Sequence, residues 1–339
     1  MISFKNDYSE IAHPSILALL QDYSNTQFNG YGLDSLSDRV KATLKKQFKS
    51  NVDIHFLVGG TITNKIFISH VLRPYEAVIS ADTGHIYVHE TGAIESTGHQ
   101  IILIQNQEGK LNPNSIDKTL VSFTDEHRVL PKMVYISNAT ETGTVYTKQE
   151  LVDLYAYCQR KGLYLFIDGA RLGVALAASQ LSLHDICESC DAFYIGGTKN
   201  GAMLGEALVI KNDTLKANFR YSIKQSGGLL AKGFIAAIQF EGLFQNNLFI
   251  NLGKHANLMA SKLVKGLKEL SIEPLYPVST NQIFIRIPTI LVKKLSVDYA
   301  FELWDDHQES QTIRLVTSWF TTDKMVKTLL SDLKKLQNK

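Results

Sequence analysis

Two apolar runs each end on an ionisable residue. Leu165-Phe166-Ile167-Asp168 closes on a carboxyl and continues as Gly169-Ala170-Arg171. A charge at the end of a buried strand needs a partner, because burying it unpaired is costly. Two partners are open to Asp168: Arg171, in a structural ion pair, or the protonated ring nitrogen of a ligand. Phe193-Tyr194-Ile195-Gly196-Gly197-Thr198-Lys199-Asn200-Gly201 sets a lysine between glycines after the second run. Near apolar surroundings the neutral, nucleophilic amine is favoured, the form that Schiff-base chemistry uses. A lone loop lysine is otherwise simply solvated. Here Lys199 follows Asp168 at the distance of one crossover helix and one strand, which puts both at the same edge of a sheet. A third segment, Leu57-Val58-Gly59-Gly60-Thr61-Ile62-Thr63-Asn64, runs from a strand through paired glycines into a helix. That geometry holds a phosphate on free backbone N–H groups; alone, it also reads as a tight turn with Thr61 as N-cap. No Gly-Lys-Ser/Thr of a P-loop and no G-x-G-x-x-G is present there. A phosphate cradle at Gly60 and Thr61, a ring-nitrogen partner and a Schiff-base lysine together point to pyridoxal 5'-phosphate.

The elements that must position these residues are legible as short apolar runs. Strands are predicted at Ile54–Val58, Ala77–Ala81, Ile101–Ile104, Met133–Ser137, Leu163–Asp168, Ala192–Gly197 and Ala207–Ile210. Most are continuous rather than alternating, as in strands covered on both faces. Helical patterns separate them, most clearly Lys148–Lys161. Alternating strands and helices imply an α/β fold with a mostly parallel sheet flanked by helices. After about Gln245 the pattern changes. A long helix is predicted over Leu252–Leu270, strands at Ile283–Ile287 and Ile313–Trp319, and a last helix at Thr322–Leu336. The division expected is an N-terminal arm (1–20) docking on a smaller C-terminal α/β domain (246–339), with a large cofactor-binding domain (21–245) between.

Composition narrows the partners. The chain has 339 residues, 45% of them hydrophobic, with 35 Lys+Arg against 33 Asp+Glu. That balance gives no reason to expect nucleic acid or an anionic membrane as partner. No apolar run approaches a membrane span and the start does not read as a secretory signal. Only 3 Cys occur, which excludes a disulfide-stapled scaffold and suits a reduced, cytoplasmic setting. His184, Cys187 and Cys190 have a metal-like spacing, but no fourth ligand or second Cys pair accompanies them, so a structural role and no metal are expected.

The arrangement resembles the pyridoxal-phosphate enzymes of the aspartate-aminotransferase fold (fold type I), and within them the threonine aldolase and β-eliminating lyase group. Asp168-Gly169-Ala170-Arg171 followed by a strand and Lys199 is the most specific part. Asn6-Asp7-Tyr8-Ser9 with His13-Pro14 resembles the family's N-terminal arm, and Gly30-Tyr31-Gly32-Leu33-Asp34 its next turn. Gly60-Thr61-Ile62-Thr63-Asn64 matches the phosphate loop. His85 with Glu90-Thr91-Gly92-Ala93 resembles the segment whose histidine stacks on the cofactor ring. Ile313-Arg314-Leu315-Val316-Thr317 resembles the strand whose arginine binds the substrate carboxylate.

The resemblance implies roles. Lys199 carries the cofactor, Asp168 keeps its ring nitrogen protonated, and Gly60 and Thr61 hold its phosphate. Arg171 stands beside cofactor and substrate; Arg314, Ser9 and Tyr31 bind substrate, Tyr31 across subunits of a homodimer or homotetramer. The implied reaction is Cα–Cβ cleavage of β-hydroxy-α-amino acids such as threonine or allo-threonine to glycine and an aldehyde. β-Elimination and transamination are the alternatives on the same scaffold, and a non-catalytic scaffold has no need of the Lys199 amine. His85 and His127 are the base candidates, with an ordered water as a third. The chain departs from the family at Ser137-Asn138-Ala139-Thr140-Glu141-Thr142-Gly143, which lacks the usual extra histidine, at Thr198, and around Lys224-Gln225-Ser226-Gly227-Gly228.

Overall fold

The computed structural model describes residues 1–106, 108–306 and 309–337. Its strands are β1 (Ile2–Ser3), β2 (Asp53–Leu57), β3 (Glu76–Ala81), β4 (Ile101–Ile104), β5 (Leu130–Ser137), β6 (Tyr164–Asp168), β7 (Ala192–Gly196), β8 (Glu206–Ile210), β9 (Gln282–Pro288), β10 (Tyr299–Ala300), β11 (Glu302–Asp306) and β12 (Ser310–Val316). The main sheet has seven strands in the order β2-β8-β7-β6-β5-β3-β4. Only β8 runs against its neighbours, β2 and β7; the other pairings are parallel. Side chains alternate between the two faces of a strand, and here both faces are apolar. Phe193 and Ile195 join one core cluster, while Tyr194 and Ala192 join the other. That double coverage is why these strands read as unbroken apolar runs.

The helix Lys148–Lys161 has the predicted bounds because its ends are written into the sequence. Thr147 and Glu150 form a capping box, and Gly162 closes the helix in the left-handed region at φ 66°. The long helix begins earlier than predicted, at Leu248, and ends at Glu269. Phe249 and Leu252 at its start belong to the main core, whereas Leu263 and Leu267 belong to a second core under β9 and β12. It crosses the helix Leu172–Ala178 closely: a Cβ on Gly253 would stand 2.4 Å from the Gly173 carbonyl oxygen.

The C-terminal part is a three-stranded antiparallel sheet, β11-β12-β9. β12 stops at Val316, three residues before the predicted end, because Thr317 N–H turns to the Asn281 carbonyl and Ser318 enters a turn closed by Thr321. The N-terminal segment, expected to dock as a whole on this part, is divided. β1 pairs in parallel with β10, and Phe4 is fully buried beneath that small sheet. The helix Pro14–Asp22 lies instead on the helix Phe234–Phe244, where Gly242 leaves room for Ile16. Its apolar residue Ile16 is buried in the main core, which accounts for the difference. Among the described residues no helix is long and apolar enough to cross a membrane.

Candidate active site

Parallel strands bring their carboxyl ends to one edge, where ligands of such sheets bind. β5, β6 and β7 end there on Ser137, Asp168 and Gly196, and Ser137 stands opposite Asp168 in register. Asp168 is 3% exposed. Tyr194 donates to its Oδ1 at 2.5 Å and the Ala170 N–H at 3.0 Å; Tyr135 donates to Oδ2 at 2.5 Å and Asn64 Nδ2 at 3.1 Å. Burial pushes this carboxyl up, but nearby His85 and the two tyrosine hydroxyls outweigh it and hold the group below its ordinary range. Asp168 is therefore ionised, and Arg171 is not its partner.

Arg171 turns to the N-terminal segment. Its Nε and Nη2 donate to Asp7 at 2.8 and 3.1 Å, and Asn281 donates to the same carboxylate at 3.0 Å. Lys199 lies in the turn after β7, its ammonium position over the Tyr8 ring at 5.8 Å. Burial, with Arg171 beside it, pushes the Lys199 amine down toward its neutral form. His85 Nδ1 meets Glu90 at 2.8 Å, and Asn64 donates to the same Glu90 oxygen at 2.8 Å, so a polar chain links His85 to Asp168. Arg314, on β12, is 8% exposed; its Nη1 donates to Gln282 at 3.3 Å, its Nε has no partner among the described residues, and it stacks on Trp304 at 5.3 Å. Lys199, Arg171, Arg314 and His85 line one cleft, completed by Tyr8, His89, Glu141 and Glu302.

Residues 25–289 match the family model described as beta-eliminating lyase. The chain belongs to the β-eliminating lyase family. Among solved structures, a threonine aldolase of Leishmania major shares 45% identity with this family member and superposes with a TM-score of 0.97, each chain covered to 99%. A low-specificity L-threonine aldolase of Pseudomonas aeruginosa is 29% identical over 334 residues, 97% of this chain and 96% of that protein. An aspartate aminotransferase of Thermus thermophilus shares the fold at a TM-score of 0.73 and 13% identity, over 99% of this chain and 91% of that one.

Enzymes of this family and fold use pyridoxal phosphate, and the residues present fit it. The helix Gly60–Val71 starts after Gly59 with no side-chain cap, so its first N–H groups are free for a phosphate. Thr61, exposed in that first turn, is not the N-cap. A Cβ on Gly60 would come within 3.0 Å of the Tyr194 hydroxyl. Asn138 Nδ2, Asn64 Oδ1 and Glu90 Oε2 are buried around the site without partners among the described residues, polar atoms that a polar ring can satisfy. At Asp168 the Asn64 contact is the longest of the four, and Asn64 retains Glu90 if a ring N–H takes its place.

Three expected site residues are not in the cleft of the single chain. His127 lies farthest away: it is exposed in the loop before β5, on the opposite edge of the sheet. An eight-residue strand separates the two edges, roughly 23 Å at about 3.3 Å per residue. Tyr31 takes a left-handed conformation at φ 59° and lies under Lys224 at 4.5 Å, lining a separate hollow with Lys41, His55 and Arg220. Ser9 is exposed, and its hydroxyl donates to Asn6 at 2.9 Å. Conversely, sequence reasoning assigned nothing to Tyr135, Tyr194, Asp7, Asn64, Glu90 or Glu141. Tyr135 and Tyr194 read as strand core, yet their strands flank β6, and that adjacency was the available signal. Cys187 and Cys190 are buried in the main core, where loss of hydration pushes the Cys187 thiol up to about 11.

Proposed function

We propose that this protein is a pyridoxal-phosphate-dependent lyase that cleaves the Cα–Cβ bond of β-hydroxy-α-amino acids, most simply threonine or allo-threonine, to glycine and acetaldehyde. The observation that carries the reading is a depressed lysine amine and two arginines, Arg171 and Arg314, facing one cleft beside an ionised Asp168. When bound, the cofactor supplies an electron sink for the pair left at Cα. Asp168, charged and fixed by four donors, holds a proton at the ring nitrogen. Lys199, its amine pushed toward the neutral form, would hold the cofactor covalently. Arg314 and the free edge of Arg171 clamp the substrate carboxylate, a planar task suited to guanidinium. That clamp would fix the orientation of the substrate at Cα, and so select which of its bonds breaks. His85, steadied by Glu90, would cover the ring.

Cleft and clamp join the two large parts of the chain. Lys199 and Asp168 come from the 21–245 region and Arg314 from 246–339, which supports treating these as two domains. The reading includes a homodimer or homotetramer, supported by Tyr31, 41% exposed beside Lys224 and outside its own cleft, and by Leu33, 63% exposed in the same turn. His127 and Ser9 would act only from or toward another subunit. A cytoplasmic location is supported by three free, buried cysteines.

The matching family model keeps β-elimination as the second reading. Product analysis separates them. Glycine and acetaldehyde from threonine support cleavage; ammonia and pyruvate from serine or cysteine, without aldehyde from threonine, replace it with elimination. Borohydride reduction must leave a cofactor adduct on Lys199.

A further inference from the structure

We propose that Glu141 is the base that accepts the β-hydroxyl proton as Cα–Cβ breaks, an assignment that rests on the retro-aldol reading above. Glu141 lies four residues beyond Ser137, the end of β5 that pairs with Asp168, and is 7% exposed on the wall of the cleft that holds Lys199, Arg171 and Arg314. Among the described residues only the Ser137 hydroxyl donates to it, at 3.0 Å to Oε1; Oε2 has no donor there and is not sealed from the cleft. A buried carboxyl with so few partners is unfavourable as structure alone.

Its neighbours are committed elsewhere. Asp168 has four donors, Asp7 is locked to Arg171, and Glu90 meets Asn64 and His85 through Oε1, with its Oε2 buried and outside the cleft lining. Glu302 stands opposite Arg314 in the β11–β12 pairing, on the clamp side of the cleft. His85 is engaged through Nδ1. With the carboxylate on the two arginines and the amine at Lys199, the side chain of the substrate falls toward the remaining wall, where Glu141 is the carboxyl with a free oxygen.

The step balances. Glu141 as carboxylate takes the hydroxyl proton, and the O–H pair becomes the second bond of the aldehyde carbonyl. The Cα–Cβ bond breaks with its pair left at Cα. Cα then takes a proton to give glycine, and the Glu141 carboxyl releases its own to water. Burial pushes Glu141 up; His85, Arg171 and Lys199 draw it back, Asp168 adds to the rise, and the net direction is upward. Tyr135 behind it stays protonated, and His89 across the cleft is held neutral, down at about 4. A raised carboxyl is a better-matched base near neutral pH.

The test compares wild-type holoenzyme with Glu141→Gln. Threonine cleavage is expected to fall about 10²–10⁴-fold, the usual contribution of a general base. Cofactor content is expected to be unchanged, and exchange of the glycine α-proton in deuterium oxide, read by NMR, to stay within about threefold. Infrared difference spectra between the two proteins should show the Glu141 carboxyl losing its proton above the ordinary glutamate range. In the wild type that ionisation gives cleavage an acid limb that glycine exchange lacks. Cleavage by Glu141→Gln within about threefold of wild type, or a parallel loss of cleavage and exchange, overturns the assignment. If the variant does not fold, the wild-type profiles decide, and one shared acid limb overturns it. A wild type that makes no aldehyde at all would instead strike the reaction assignment itself.

Discussion

The charge on Asp168 is maintained by atoms two strands apart. Tyr135 and Tyr194 reach it from either side, each a phenol raised well above its ordinary range and so always a donor. Removing one hydroxyl leaves the carboxylate short of a partner in a dry site, at a cost of roughly 1–3 kcal/mol. Tyr194→Phe is therefore expected to lower the melting temperature and weaken cofactor binding, measured by calorimetry and by titration of the cofactor-free protein. Asp168→Asn removes the charge itself and should reduce turnover on the order of 10²–10³-fold at near-normal stability. Glu206 behaves oppositely. Buried beside the Lys199 turn, it accepts from the Gly197 N–H at 3.1 Å, and burial pushes it up to about 8. A carboxyl raised on folding makes the native state bind the extra proton, so stability falls as pH rises from the ordinary glutamate range to about 8 and is flat beyond. Glu206→Gln should match wild type in melting temperature at low pH and exceed it progressively up to that point.

Elements were legible in proportion to how locally their ends are determined. The helix Lys148–Lys161 carries its own stop signals, so sequence and structure agree on it. Thr147→Ala removes one half of the capping box, and a loss of about 1 kcal/mol in denaturant unfolding is expected. The helix Leu248–Glu269 gives no such signal: Asn247 precedes it in a left-handed conformation at φ 57° with no side-chain cap, and Leu248-Phe249-Ile250 reads as an apolar run. β11 was invisible because Glu302, Asp305 and Asp306 dilute its apolar pattern and a bulge breaks its register between Leu303 and Asp305. At the site, Lys199 and Asp168 were readable because glycines follow buried strands. Glu141 and the tyrosines were not, because only the sheet order reveals what stands beside them.

At the scale of the molecule, the N-terminal segment ties the two cores together. β1 pairs with β10 of the C-terminal part, while Asp7 neutralises Arg171 from the large part. No local pattern could announce that contact, since its partners lie 164 positions apart. Breaking a buried pair by removing one partner typically costs roughly 3–5 kcal/mol. Asp7→Ala should show a loss of that order in unfolding, together with a raised KM for the amino-acid substrate, because an unpaired Arg171 is free to leave the clamp.

The chain has 2 tryptophans, and their surroundings differ. Trp319 packs edge-on against His13 and Phe320, while Trp304 stacks with Arg314 and meets His89 at the cleft. Intrinsic fluorescence therefore contains a built-in gauge of occupancy. In Trp319→Phe the remaining indole is the only strong emitter, and its light should be quenched stepwise as a yellow chromophore fills the cleft, then shift again when an amino acid displaces solvent from Arg314.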